Sequence, residues 1–219
     1  MNSKSIQTVI TILAEETKKW KTPIVGKIEN QFKNPYKVLI SCLLSLRTKD
    51  LVTEGASYRL FSIADTPQSI SALSVKRIEK AIYPVGFYRR KARTIKRVSA
   101  LLIERHNSNV PDAMDELLEL PGVGRKTANL VLTIAFKKQA ICVDTHVHRI
   151  MNRWGYVHTK TPFETEMGLR GKLPPRYWIT INDLLVSYGQ NLCKPVSPKC
   201  TLCRITRYCD YYKNKILKS

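Results

Sequence analysis

Lys126 stands where an amine could act as a nucleophile. It lies in the run Leu120-Pro121-Gly122-Val123-Gly124-Arg125-Lys126-Thr127-Ala128-Asn129. Met114 to Leu118 has an apolar helical rhythm, and Leu130, Val131, Leu132, Ile134, Ala135 and Phe136 predict a buried helix. The run between them reads as a tight hairpin. Pro121 ends the first helix, because its ring and missing N–H cannot continue the ladder. Gly122 and Gly124 are expected to allow left-handed backbone angles and to leave the N–H groups of the turn bare. With the positive end of the second helix behind them, those amides form a site for one phosphate, and Arg125 adds a charge-assisted contact. Lys126 then falls in the first turn of the second helix. The helix dipole, Arg125 and any desolvation all favour its neutral amine, the form that attacks carbon. Read alone, Pro-Gly-Val-Gly is also compatible with an ordinary turn and a solvated lysine.

Two further groups carry chemistry. Asp144, eighteen residues beyond Lys126, opens a helix in Val143-Asp144-Thr145-His146-Val147-His148-Arg149. It can cap that helix, and it can also accept a proton or stabilise positive charge growing on a substrate. The two roles are compatible, since a capping aspartate is held rigidly. His146 and His148 are not spaced to bind a metal from one helix face, so they read as DNA-proximal or structural. Near the C-terminus, Cys193, Cys200, Cys203 and Cys209 follow C-x6-C-x2-C-x5-C within 17 residues. Four thiols so close imply a metal centre more than disulfides in an intracellular chain, and the spacing alone allows zinc or a four-iron, four-sulfur cluster. Lys194, Lys199, Arg204 and Arg207 surround them. These cations are expected to favour the thiolates and to present a basic loop, with Lys199 and Arg204 as phosphate contacts. Cys42 and Cys142 lie in apolar segments and read as core residues.

The elements that must position these groups are helical nearly throughout. Asn34-Pro35, Thr66-Pro67 and Thr161-Pro162 each pair a capping residue with a proline at the first helical position. Thr48 is expected to cap a helix from Asp50 through Leu60, and Ser74 another through Ile82. Ile6, Val9, Ile10 and Leu13 mark an amphipathic N-terminal helix. No period-two strand is evident, so about ten helices in an all-α fold are predicted. In the helix from Arg89 to His106, Ile95, Val98 and Leu102 face one way. Arg89, Arg90, Lys91, Arg93, Lys96 and Arg97 crowd the start and the outer face, as a solvated face or a binding one. The preceding loop, Tyr83-Pro84-Val85-Gly86-Phe87-Tyr88, sets aromatics beside these cations, which suits either packing or stacking on bases. Arg47, in Leu43-Leu44-Ser45-Leu46-Arg47-Thr48-Lys49-Asp50, sits at another helix junction, where a side chain can protrude.

Composition narrows the partner. The 219 residues carry 37 Lys+Arg against 17 Asp+Glu, a formal charge of +20, which points to a polyanion and to nucleic acid before a membrane surface. No apolar run reaches the ~20 residues of a membrane span, and the N-terminus lacks the marks of a signal peptide. An intracellular protein is expected.

Taken together, LPGVGRKTAN, VDTHVHR and the four-cysteine spacing resemble the endonuclease III family of helix–hairpin–helix DNA glycosylases with AP-lyase activity. IYPVGFYRRKA and LLSLRTKD are similar to family segments as well, and the resemblance covers nearly the whole chain. It implies two helical domains flanking a DNA-binding cleft. Residues 28–138 would form a helical barrel carrying the hairpin, and residues 1–27 with 139–219 a cluster domain. It implies a [4Fe-4S] cluster on Cys193, Cys200, Cys203 and Cys209, double-stranded DNA with damaged bases or abasic sites as partner, and a monomer. The family's nucleophile falls on Lys126 and its aspartate on Asp144. Arg47 falls where the family's side chain fills the gap left by a flipped base, and Phe87 where the family inserts an apolar wedge. With the residues read above, the expected DNA contacts are Arg47, Phe87, Gly122, Gly124, Arg125, His146, Lys199 and Arg204. The activity implied is removal of oxidised pyrimidines such as thymine glycol, with β-elimination 3′ to the lesion. One departure stands out: the family often has glutamine where this chain has Arg47, which offers donors only. A mismatch or uracil glycosylase on the same scaffold is an alternative. So is a non-enzymatic DNA-binding protein with a structural zinc.

Overall fold

A computed structural model describes residues 3–20 and 34–217. Among these residues there are eleven α-helices and no strand. They are α1 (Ser3–Thr17), α2 (Pro35–Ser45), α3 (Asp50–Phe61), α4 (Pro67–Ala72), α5 (Val75–Ile82), α6 (Tyr88–His106), α7 (Met114–Glu119), α8 (Arg125–Ala135), α9 (Thr145–Arg153), α10 (Pro162–Lys172) and α11 (Ile181–Asn191). Beyond α11 the chain makes only short 3-10 turns at Cys200–Leu202 and Thr206–Tyr208 and a π turn at Tyr212–Ile216. Among the described residues, no helix is long and apolar enough to cross a membrane.

Local capping chemistry starts most of these helices. The Asn34 side chain accepts from the N–H groups of Tyr36 and Lys37. Thr66 forms a capping box with Ser69. Ser74 and Thr161 accept from the N–H groups of Arg77 and Glu164. Each satisfies donors that the first helical turn leaves orphaned. Thr48 departs from expectation: the N-cap of α3 is Lys49, which makes no side-chain cap bond, and the Thr48 hydroxyl is engaged elsewhere.

The chain divides into two compact units. One comprises residues 24–140, the other residues 1–23 together with 141–219. The boundary expected near residue 28 lies outside the described residues. In the 24–140 unit, α2 packs on α3 and α8, and α6 packs on α4 and α5. Leu39, Ile40, Leu44, Ile70, Ile78, Ile95, Val98, Leu102 and Val131 are fully enclosed there, and Cys42 is a core residue. The other unit buries Ile6, Val9 and Leu13 of α1 against Val147, Ile150, Met151, Trp154, Leu169, Leu185 and Tyr188. This N-terminal helix completes a core built otherwise from the C-terminal third of the chain, and Cys142 is buried as well.

Candidate nucleic-acid interface

In the 24–140 unit, α7 and α8 enclose the hairpin. The first helix ends at Glu119 with Leu120 as its cap, and α8 starts at Arg125 with Gly124 as N-cap. Gly122 has φ +78, and a Cβ there would lie 3.0 Å from Thr94 Cγ2, so both backbone and space call for glycine. Gly124 does not share this conformation. Its φ is −98 and a Cβ would meet nothing within 4 Å. Its place at the turn is set by an extended N-cap rather than by a left-handed angle. Gly124 has no side chain to cap α8. Lys126 is exposed, one residue into the helix, beside the half-buried Arg125.

A cleft of about 400 Å³ opens beside this hairpin, lined by Leu43, Leu46, Arg47, Phe87, Arg90, Lys91, Thr94 and Gly122. The two expected wedge residues share it. Arg47 is exposed with φ 52, Phe87 is 62% exposed with φ 59, and the guanidinium carbon stands 5.8 Å from the ring centre. Non-glycine residues in left-handed geometry are uncommon, and here two face one cleft. Lys91, expected on the solvated face of α6, is instead 8% exposed. It lies on the stripe of Ile95, Val98 and Leu102, and that helical period was the signal that could have placed it inside. Its Nζ donates to the carbonyls of Leu44 (2.7 Å) and Leu46 (2.5 Å) and to Thr48 Oγ1 (3.1 Å). Burial pushes this ammonium down to about 8.

In the other unit, Asp144 is the N-cap of α9. One oxygen, Oδ1, accepts from the N–H groups of His146 and Val147, both at 2.9 Å. His146 is half-buried and its Nδ1 meets Arg149 Nη2 at 3.1 Å. A Cβ on Gly189 would lie 2.3 Å from that nitrogen, so the ring is wedged into the scaffold. The four C-terminal cysteines line one cavity with Trp154, Tyr188, Leu192 and Pro198. Among the described residues, no His, Cys, Asp and Glu side chains close on one point as a single ion would require. Burial pushes the Cys200, Cys203 and Cys209 thiols up, Cys209 to about 11. Enclosure therefore outweighs the nearby cations expected to favour thiolates. Of those cations, Lys199 is exposed, while Arg204 Nη1 stands 3.9 Å from Glu16 of α1.

Three residues that sequence reasoning did not single out support the cysteines. Tyr188 OH lies 2.9 Å from Cys203 Sγ. Arg153 donates to Cys193 Sγ at 3.3 Å and to the carbonyls of Lys194 and Pro195. Arg149 donates to the Cys193 carbonyl at 2.8 Å. The only sequence signal was position: Arg149 and Arg153 lie one turn apart on α9.

Residues 40–175 match the family model described as HhH-GPD superfamily base excision DNA repair protein. The chain is 47% identical to endonuclease III of Thermotoga maritima over 182 residues, 83% of this chain and 85% of that protein. It is 42% identical to endonuclease III homolog 1, chloroplastic, of Arabidopsis thaliana, of which it spans 48%. A solved structure of a trapped endonuclease III–DNA covalent intermediate, in its estranged-adenine complex, superposes with a TM-score of 0.87 at 33% identity, over 97% of this chain and 98% of that one. With its helix–hairpin–helix, its all-helical units and these matches, the chain belongs to the endonuclease III family of HhH-GPD base excision DNA repair proteins.

Proposed function

We propose that the protein is a bifunctional DNA glycosylase and AP lyase that removes oxidised pyrimidines, thymine glycol among them. The observation that carries this reading is Lys126: an exposed amine in the first turn of α8, directly after a two-glycine hairpin and its backbone amides. A phosphate seated on those amides, with Arg125 beside it, brings the deoxyribose of the same nucleotide to the amine. The trapped covalent complex known for a family member supports an enzyme–DNA bond here too.

The damaged nucleotide leaves the stack, and Arg47 and Phe87 fill the gap. Lys126 Nζ bonds to C1′ as the C1′–base bond breaks, and that electron pair departs with the base. The resemblance to the family assigns to Asp144 the proton from the lysine and the stabilisation of positive charge on the sugar. The ring opens to a Schiff base, a proton leaves C2′, and the C3′–O bond breaks with the 3′ phosphate as leaving group. Water then releases the lysine. Lys199 is the phosphate contact of the cysteine loop. Arg204, drawn toward Glu16, adds charge there, and His146 serves by holding the start of α9.

Cys193, Cys200, Cys203 and Cys209 would hold a four-iron, four-sulfur cluster. The four thiols line one shared cavity, and the resemblance to the family favours this cluster over zinc. When bound, the cluster would supply cross-links among the four thiolates, with Tyr188 and Arg153 hydrogen-bonding to the sulfurs of Cys203 and Cys193. Nothing in the reaction passes through it.

Borohydride trapping on a duplex with one thymine glycol tests the assignment. Wild type should give a covalent band and Lys126→Gln none. A band on abasic DNA alone would keep the lyase and redirect the search to other bases, with uracil and thymine mismatches next. No band on either substrate would overturn the lysine mechanism.

A further inference from the structure

We propose that Lys91 is a positioning residue that locks the Arg47 and Phe87 loops into one rigid wedge, so that the two side chains enter the duplex together. This rests on the reading of those two residues as the wedge.

The geometry of the lock is complete. A lysine ammonium has three donors, and all three are used, on the carbonyls of Leu44 and Leu46 and on Thr48 Oγ1. The two carbonyls are orphans of the C-terminal end of α2, where a cation is favoured by the helix dipole. Thr48 is equally saturated. Its hydroxyl accepts from Lys91 and from the N–H of Gly86 (3.2 Å), and donates to the Leu46 carbonyl (3.2 Å). One hydroxyl thus ties the residue after Arg47 to the residue before Phe87. Gly86 closes the seam: a Cβ there would lie 2.6 Å from the Arg47 carbonyl, so no other residue lets the two loops approach this closely. Lys91 is also covalently one turn from Phe87, whose carbonyl accepts its backbone N–H at 3.0 Å.

The lock explains why a lysine is kept in an apolar stripe. Its three side-chain partners are neutral oxygens, and burial works against the charge. A methionine would pack there without that penalty. What the ammonium adds is direction: it holds the backbone on both sides of Arg47 against the Phe87 turn, with both residues in left-handed geometry. Extruding a base from a duplex needs a wedge that does not yield, whereas an abasic nucleotide has no base to unstack.

The test uses the full-length, cluster-loaded protein with Lys91→Met, Thr48→Val and Thr48→Ser. Three quantities are read: base release from thymine glycol duplex, strand cleavage of a preformed abasic duplex, and hydrogen exchange at Gly86. A misplacement of about 1 Å in a catalytic assembly costs on the order of 100-fold. Lys91→Met should therefore slow base release by about 100-fold, leave abasic cleavage within about threefold, and speed exchange at Gly86. Thr48→Val should move the same readouts in the same sense, and Thr48→Ser should restore them; this pair decides the matter if Lys91→Met does not fold. Unchanged exchange at Gly86 would overturn the lock. Equal loss on both substrates, or loss on neither, would overturn its role in base extrusion. Wild type that releases no base from any lesion would sink the functional reading instead, and Gly86 exchange alone would then decide the lock.

Discussion

Asp144 divides its two oxygens between structure and chemistry. Oδ1 takes both capping bonds of α9, while no described residue bonds to Oδ2. A carboxylate anchored by one oxygen keeps its rotamer while the other faces a proton or a developing cation. The two contributions can be separated. Asparagine caps as well as aspartate, so Asp144→Asn should melt within about 1 °C of wild type while losing on the order of 100-fold or more in base release. Asp144→Ala removes the cap too and should lose about 1 kcal/mol, some 2–4 °C for a chain of this size. Thermal melts beside single-turnover excision read both. A matching loss of stability in Asp144→Asn would mean that the charge itself, rather than the capping oxygen, holds α9. The aspartate was legible in the sequence because a cap and its helix are neighbours. The burial of Lys91 could be read from its helical stripe, but its side-chain partners could not, because they lie 43 to 47 positions away and only the fold brings them to it.

The hairpin between α7 and α8 is where sequence and conformation part in detail. Its two glycines look equivalent in Pro121-Gly122-Val123-Gly124, yet only Gly122 occupies the left-handed region. Gly122→Ala should cost about 1–2 kcal/mol, from backbone strain and from the contact with Thr94. Gly124→Ala should cost only about 0.5 kcal/mol as a poorer N-cap. It should still weaken binding to an abasic duplex, because a methyl there sits beside the amides proposed to receive the phosphate. Denaturant midpoints and DNA titrations of the two variants check this. Equal destabilisation would refute the distinction. Caps at Asn34, Thr66, Ser74 and Thr161 could be read from sequence because each bond spans two or three residues. Thr48 shares their chemistry but bonds to Gly86, 38 positions on, and a long-range partner overrides the local preference.

At the scale of the molecule, the two units are held by different means. The 24–140 unit encloses its apolar residues between helices, and its stability is that of ordinary side-chain burial. The other unit ends in a segment with little regular structure of its own: from Leu192 to Tyr212 the chain makes two three-residue 3-10 turns and the start of a π turn, while Val196 and Leu202 are 81% and 65% exposed. Ile205 and Cys209 are buried, and Arg149, Arg153 and Tyr188 bond to the segment. It has few helical bonds of its own, so the four thiols around one cavity are a major further restraint. Removing the proposed cluster should therefore loosen that unit alone. All three tryptophans, Trp20, Trp154 and Trp178, belong to it, and Trp20 and Trp154 each lie 6.4 Å from Tyr188 at the cysteine cavity. Oxidative loss of the cluster should shift tryptophan emission to the red and open residues 193–209 to protease, while amides of α6 keep their slow exchange. Loss of protection in α6 at the same iron occupancy would show that the units unfold as one and that the cysteines brace the whole chain. An unshifted emission with intact 193–209 would mean that Arg149, Arg153 and Tyr188 hold the segment without metal.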